Sequence, residues 1–196
     1  MELPFEIDVP AGCTAEVVTW VEMHSAPATR PASNVPWTLE LRQTPDLEWY
    51  RDLYRAVGEE WMWHSRLLLD DGALSAILND PKVETYTLKR EDVDVGILEL
   101  NFGEPGSVEV SFFGVVASEF GTGAGRWLMA KALERAWAEQ PERVWLHTCS
   151  LDHPNALPFY MKQGFKAFKR TIYICQDSRL TGVLRSDAAA QTPIIP

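Results

Sequence analysis

The sequence predicts an α/β fold: a central β-sheet of mixed strand direction flanked by helices, with an extra β-hairpin at the N-terminus. Three observations carry this. Alternating strand-like runs and helix-like stripes interleave along most of the 196 residues, instead of falling into separate blocks. A strand, a glycine-rich turn and a helix follow one another from Val108 to Trp137, and a new strand starts at Arg143. That is a crossover unit, which joins parallel strands. The composition, 46% hydrophobic and 23% charged, supplies a core and argues against disorder.

Residues 1–24 hold two apolar runs split by Pro10-Ala-Gly12, which predicts paired strands ending near Met23. Ser25 to Pro36, with Pro27, Pro31 and Pro36, is an exposed connector. Trp37–Arg42 alternates as a strand. Thr44 to Val57 is a helix, with Thr44 as cap, Pro45 and acidic residues in its first turn, and Tyr50, Leu53, Tyr54 and Val57 as its apolar stripe. Gly58 ends it. Glu59–Ser65 is aromatic and ambiguous, and Asp70–Leu78 is a second, short helix. Val83–Leu88 and Val93–Phe102 are strands around the polar turn Lys89–Asp92. After the crossover unit, Pro154–Gln163 is helical, Gly164 suits the residue after a helix end, and Phe165–Cys175 alternates as a last strand. The chain thus divides into N-terminal strands and connector (1–36), a main domain (37–175) and a tail (176–196) that wraps the surface.

The net charge of −10 lacks the basic footprint of a nucleic-acid binder. Three scattered cysteines, Cys13, Cys149 and Cys175, suggest neither disulfides nor a metal site. The start has no basic and apolar leader pattern, and no apolar run approaches the ~20 residues of a membrane span. The expectation is a cytoplasmic protein with no metal and no membrane partner.

Gly121, Gly123 and Gly125 sit between the central strand and its helix. Such a turn lets a ligand approach the backbone and offers free N–H groups at the positive end of the helix dipole, which suits phosphate. The spacing fails G-x-G-x-x-G in either register and lacks G-x-x-x-x-G-K-[ST], so dinucleotide and nucleotide loops are excluded. Phe120-Gly-Thr-Gly-Ala-Gly125 instead resembles the acyl-CoA loop [Q/R]-x-x-G-x-[G/A] of the GNAT superfamily of N-acetyltransferases, with Phe120 in place of Gln or Arg. Downstream, His153-Pro-Asn-Ala-Leu-Pro-Phe-Tyr-Met-Lys-Gln-Gly-Phe165 resembles the family's N-x-x-A-x-x-[LF]-Y-x-x-x-G-F, with His153 replacing Asn. The resemblance covers residues 37–175.

That resemblance implies acetyl transfer from acetyl-CoA to a primary amine on a small molecule or peptide. The ammonium must lose a proton, because an alkyl amine with a pKa near ~10 is mostly unreactive at neutral pH. Glu109 matches the family's catalytic glutamate and is the candidate base, against the alternative of a carboxylate on a solvated face. Glu99 is the runner-up base and a candidate acceptor contact. Tyr160 matches the tyrosine near the CoA sulfur, as proton donor or as packing residue. Pro158 lies just before it and removes a helix hydrogen bond. The resemblance assigns the pantetheine arm to the backbone of Val115 and Val116, and the pyrophosphate to Phe120, Gly121, Thr122, Gly123, Ala124, Gly125 and Arg126. Arg126 either meets phosphate or stays exposed, and His153 either touches CoA or caps its helix. Trp61 and Trp63 either shape the acceptor pocket or belong to the core. His147 reads as structural. The alternative function is a non-catalytic acyl-CoA-binding or regulatory module. A homodimer is compatible, through pairing of the N-terminal strands with another sheet edge.

Overall fold

A computed structural model describes residues 5–28 and 31–196. Residues 1–4 of the opening segment and residues 29–30 of the connector lie outside the described residues. Among the described residues, seven strands form one sheet: β1 (Cys13–Met23), β2 (Trp37–Leu41), β3 (Val83–Arg90), β4 (Val93–Asn101), β5 (Ser107–Val115), β6 (Arg143–Cys149) and β7 (Lys166–Gln176). Four helices accompany them: α1 (Leu47–Gly58), α2 (Asp71–Leu78), α3 (Ala124–Ala138) and α4 (Ala156–Lys162).

The strand order is β2-β3-β4-β5-β6-β1-β7. All neighbours are antiparallel except β5 and β6, which are parallel as the crossover unit requires. The N-terminal region departs from expectation. Among the described residues it contributes one strand, not a hairpin, and β1 ends at Met23 but has β6 on one side and β7 on the other. Both edges of β1 are therefore filled, so it cannot pair with a second copy. The open edges are β2 and β7.

The β5–β6 pairing is short. It covers only Ser107–Glu109 against Arg143–Trp145, after which the strands separate. β5 is bulged beside this point: Leu100 faces Val110 and Glu99 faces Phe112, so Ser111 has no opposite residue. A bulge adds twist and bends its strand. The sheet is thus two antiparallel halves hinged along three residues, with a gap between them.

Each face is filled separately. Val108 and Val110 of β5 and Leu146 of β6 pack under α3 through Leu128, Met129 and Ala132. Ile97 and Phe112 lie on the other face, against Tyr50, Leu53, Tyr54 and Val57 of α1 and Leu74 and Leu78 of α2. This is the stripe read from the sequence. The cap of α1 is Asp46, whose carboxylate accepts from the Trp49 N–H at 2.9 Å, and not Thr44. β3 runs on to Arg90, so its turn is only Glu91–Asp92, with Glu91 at φ 55°. The tail is a packed element. Leu184, Ala188 and Ala189 join Met62 and Leu151 in a third apolar cluster, and buried Arg179 pairs with Asp177 at 2.7 Å and donates to the Ala188 and Thr192 carbonyls.

Candidate active site

Where β5 and β6 part, each strand is paired on its outer side only. Val110–Val115 face β4, and Leu146–Cys149 face β1. The backbone groups on the inner edges have no strand to bond, so an extended ligand with amides of its own can pair there. A cavity of about 930 Å³ fills the gap and is lined by residues from both faces of the sheet. Phe113, Val115, Phe159 and Tyr160 line it on the α3 side. Tyr54, Phe112, Trp63, Trp20 and His147 line it on the other.

One mouth of the cavity is the glycine turn. Gly121 and Gly123 adopt φ 77° and 101°, which favours glycine over any residue with a Cβ. Gly125 has an ordinary φ, and a Cβ there, as at Gly121, would meet nothing within 4 Å. Two glycines therefore shape the turn and two leave room for a ligand. Gly123 is the cap residue of α3. The Ala124 N–H is answered by the Thr122 hydroxyl at 3.2 Å, and the first intrahelical bond runs from the Trp127 N–H to the Gly123 carbonyl. The N–H groups of Gly125 and Arg126 fall between and are open to an anion at the dipole's positive end. Arg126 is exposed and lines this mouth.

Beneath the turn lies Glu119, 3% exposed. Its carboxylate accepts from the Trp37 indole at 3.1 Å and the Thr122 hydroxyl at 3.0 Å, and pairs with Arg90 at 3.3 Å. Nothing in the sequence pattern singled it out, yet it fixes the turn from below. It also commits Thr122 to the protein itself, and neither Thr122 nor Ala124 is among the described lining residues. Val115 lines the cavity, whereas the Val116 N–H is taken by the Val95 carbonyl at 2.9 Å.

Phe120 is 44% exposed and meets the edge of the His153 ring at 5.1 Å. His153 in turn meets Trp61 at 4.9 Å. Trp61 thus stands by the glycine turn. The His153 Nδ1 accepts from the Asn155 N–H at 3.0 Å, which orders the entry to α4. Pro158 is in the first turn of α4, where no intrahelical N–H bond is needed, so it costs none. Tyr160 is 8% exposed, lines the cavity and packs against Phe113, Phe159 and Phe165. Burial first and the nearby Asp152 carboxylate second push its phenol far above the usual range, so it holds its proton.

Glu109 and Glu99 differ sharply. Glu99 is fully buried. It accepts from the Tyr50 hydroxyl at 2.8 Å and forms an ion pair with Arg66, and it is not among the described lining residues. Glu109 is half-buried beside Trp145, its partner across the parallel pair. Burial raises its pKa above the usual carboxylate range, and His147 and the Ser111 hydroxyl pull partly back. It too is not among the described lining residues, but it neighbours Ser111 and His147, which both are.

The lining residues not read as functional include His147, Asp152 and Glu16. His147 is exposed in the cavity and tilts against Trp20 at 5.1 Å. Asp152 accepts from the Trp63 indole at 3.1 Å, the Thr148 hydroxyl at 2.7 Å and the Cys149 N–H at 2.8 Å. Glu16 comes from β1. A strand histidine and two carboxylates far apart in sequence carry no shared motif, so only the pairing of β1 with β6 could collect them. Among the described residues, no group of three or more His, Cys, Asp or Glu is placed to hold a metal ion, and no helix is long and apolar enough to cross a membrane.

The Acetyltransferase (GNAT) family matches residues 43–165. No curated protein matches the sequence. Among solved structures, a conserved protein of unknown function from Staphylococcus epidermidis is similar at 15% identity and TM-score 0.58, over 85% of this chain and 63% of that one. A GCN5-related N-acetyltransferase from Kribbella flavida is similar at 16% identity and TM-score 0.54, over 87% and 63%. This chain therefore spans less than two thirds of the length of either. The aminoglycoside acetyltransferase meta-AAC0020, from an uncultured soil metagenomic sample and in complex with trehalose, is similar at 19% identity and TM-score 0.54, over 65% and 86%. At such identities the likeness is one of fold. With the family matched across most of the chain, and the split strands and glycine turn in place, the chain belongs to the GNAT acetyltransferase family.

Proposed function

We propose that this protein transfers an acetyl group from acetyl-CoA to a primary amine. The observation that carries the reading is the cavity that crosses the sheet between β5 and β6, with the glycine turn at one mouth and Tyr160 inside. The residues present suit acetyl-CoA. The free N–H groups of Gly125 and Arg126, the open space at Gly121 and the Arg126 side chain suit its pyrophosphate. The unpaired edges of β5 and β6 suit the amides of its pantetheine arm. Bound there, acetyl-CoA supplies an activated thioester carbonyl to an unprotonated amine.

The remaining chemistry belongs to the chain. Glu109, whose pKa burial raises toward the range of a general base, accepts the proton that the ammonium must shed, reached past His147 and Ser111. Tyr160 keeps its proton and presents its hydroxyl to the cavity, where it donates to the departing sulfur. Phe112, Phe113 and Tyr54 exclude water around the reacting carbon. The test is a thermal-shift titration with acetyl-CoA followed by an amine panel read by release of CoA thiol. Stabilisation and thiol release support the reading. Absence of stabilisation by any acyl-CoA overturns it, and stabilisation without turnover of any amine moves the assignment to an acyl-CoA-binding module.

A further inference from the structure

The cavity has a second floor that the family segment, residues 43–165, supplies only in part, through β6; β1 and β7 complete it. β6, β1 and β7 lie side by side, and their cross-strand pairs form rows on one face. His147, Trp20 and Lys169 make one row. Cys149, Val18 and Thr171 make the next. Glu16 opposite Tyr173 makes a third. Directly paired residues share a face, so the even-numbered residues of β1 all point the same way. Glu16, Val18, Trp20, Thr171 and Tyr173 all line the cavity.

The charges on this floor are unbalanced. Three carboxylates line the cavity: Glu119, Asp152 and Glu16. Glu119 is paired with Arg90, and Asp152 accepts three hydrogen bonds. Glu16 forms no ion pair among the described residues, and its polar neighbours include the thiols of Cys149 and Cys175. The one Lys or Arg among the described lining residues is Arg126, at the glycine turn. Lys169 is held 4.5 Å over the Trp20 ring and is not among that lining. A half-buried carboxylate without a cation is a site for one. Glu16 is four residues from Trp20 along β1, about 13 Å at the usual strand rise, and Trp20 is paired with His147 beside Glu109.

We propose that Glu16 and Tyr173 form a subsite for a second positive charge on the acceptor, so that the preferred substrate is a linear diamine or longer polyamine. One nitrogen reacts near His147 and Ser111, the chain lies over Val18 and Thr171, and the distal ammonium rests against Glu16. This rests on the acyltransfer reading for the reacting end only. The distal subsite is a binding site in its own right.

The test compares octamethylenediamine with octylamine, which share a chain and differ by one ammonium. In the wild-type protein kcat/KM should favour the diamine by about tenfold, mainly through KM, the scale of one partly screened charge pair. Glu16→Gln should collapse that ratio to near one, and Glu16→Asp should restore part of it. Equal kcat/KM for the two amines, or a preference that survives Glu16→Gln, overturns the proposal. If no amine turns over, the acyltransfer reading fails by itself. The subsite is then read by calorimetric titration of octamethylenediamine into wild-type and Glu16→Gln protein, where tighter binding to the wild type supports it and equal binding overturns it.

Discussion

The Trp63 indole N–H donates to the Asp152 carboxylate at 3.1 Å, and this bond spans the two halves of the sheet. Trp63 belongs to the segment after α1, on the β2–β5 half. Asp152 belongs to the turn after β6, on the other. The bond lies where β5 and β6 have no ladder between them, so it sets the width of the cavity at that end. Asp152→Ala should therefore lower stability by about 1–3 kcal/mol in chemical denaturation, because three donors lose their acceptor. It should also raise KM for both substrates. An unchanged KM would show that the β5–β6 hinge alone sets the gap.

Glu109→Gln separates proton transfer from packing. The raised pKa of Glu109 means that the wild-type rate should fall as pH drops through a value above the ordinary carboxylate range, because the base becomes protonated. Gln should lower kcat by about 100-fold and abolish that limb. Stability should move the other way. The fold favours the protonated carboxyl, so its stabilising contribution is present at low pH and is lost as pH rises through the raised pKa. At neutral pH Glu109→Gln should thus melt no lower than wild type. A full-amplitude acid limb in the variant would take the base role away from Glu109.

Tyr160→Phe removes a hydroxyl and leaves the ring packed against Phe113, Phe159 and Phe165. The expected result is a fall in kcat of about 10- to 100-fold with acetyl-CoA affinity unchanged by calorimetry. Unchanged kcat would make Tyr160 a packing residue.

Glu99 and Arg66 form a buried pair, with side-chain exposures of 0% and 17%. Arg66→Met leaves Glu99 uncompensated in the core and should cost about 3–5 kcal/mol. Arg66→Met combined with Glu99→Gln should recover most of it, since no charge is then stranded. Urea denaturation of the three proteins gives the coupling. Additive losses would mean that Glu99 finds another partner.

Gly58 is a packing residue as much as a helix stop. A Cβ there would lie 2.2 Å from the Trp63 ring, and one at Gly114 would lie 2.5 Å from Val57. Gly58→Ala should displace Trp63, shift its fluorescence and cost about 1–3 kcal/mol. A variant with wild-type fluorescence and stability would show that Trp63 relocates without strain.

Read alone, the sequence determined the order of the elements, the crossover unit, the face of α1 that is buried and the turn that suits a phosphate. Those features rest on local patterns: the two-residue alternation of β5, the spacing of Tyr50, Leu53, Tyr54 and Val57, and the φ values that Gly121 and Gly123 tolerate. The downstream motif from His153 to Phe165 carries the resemblance through which Tyr160 could be named. Local pattern could not say where β1 goes, because a strand's neighbours are chosen by long-range pairing and not by its own residues. Tertiary structure alone inserted β1 between β6 and β7, and so brought Glu16 and Trp20 to the same cavity as His147 and Asp152. It also placed buried Glu119 under the glycine turn, tied Glu99 to Arg66, and left Glu109 outside the cavity lining, next to Ser111 and His147. Burial and charge pairing depend on what the whole chain packs around a group, and only the completed fold fixes that.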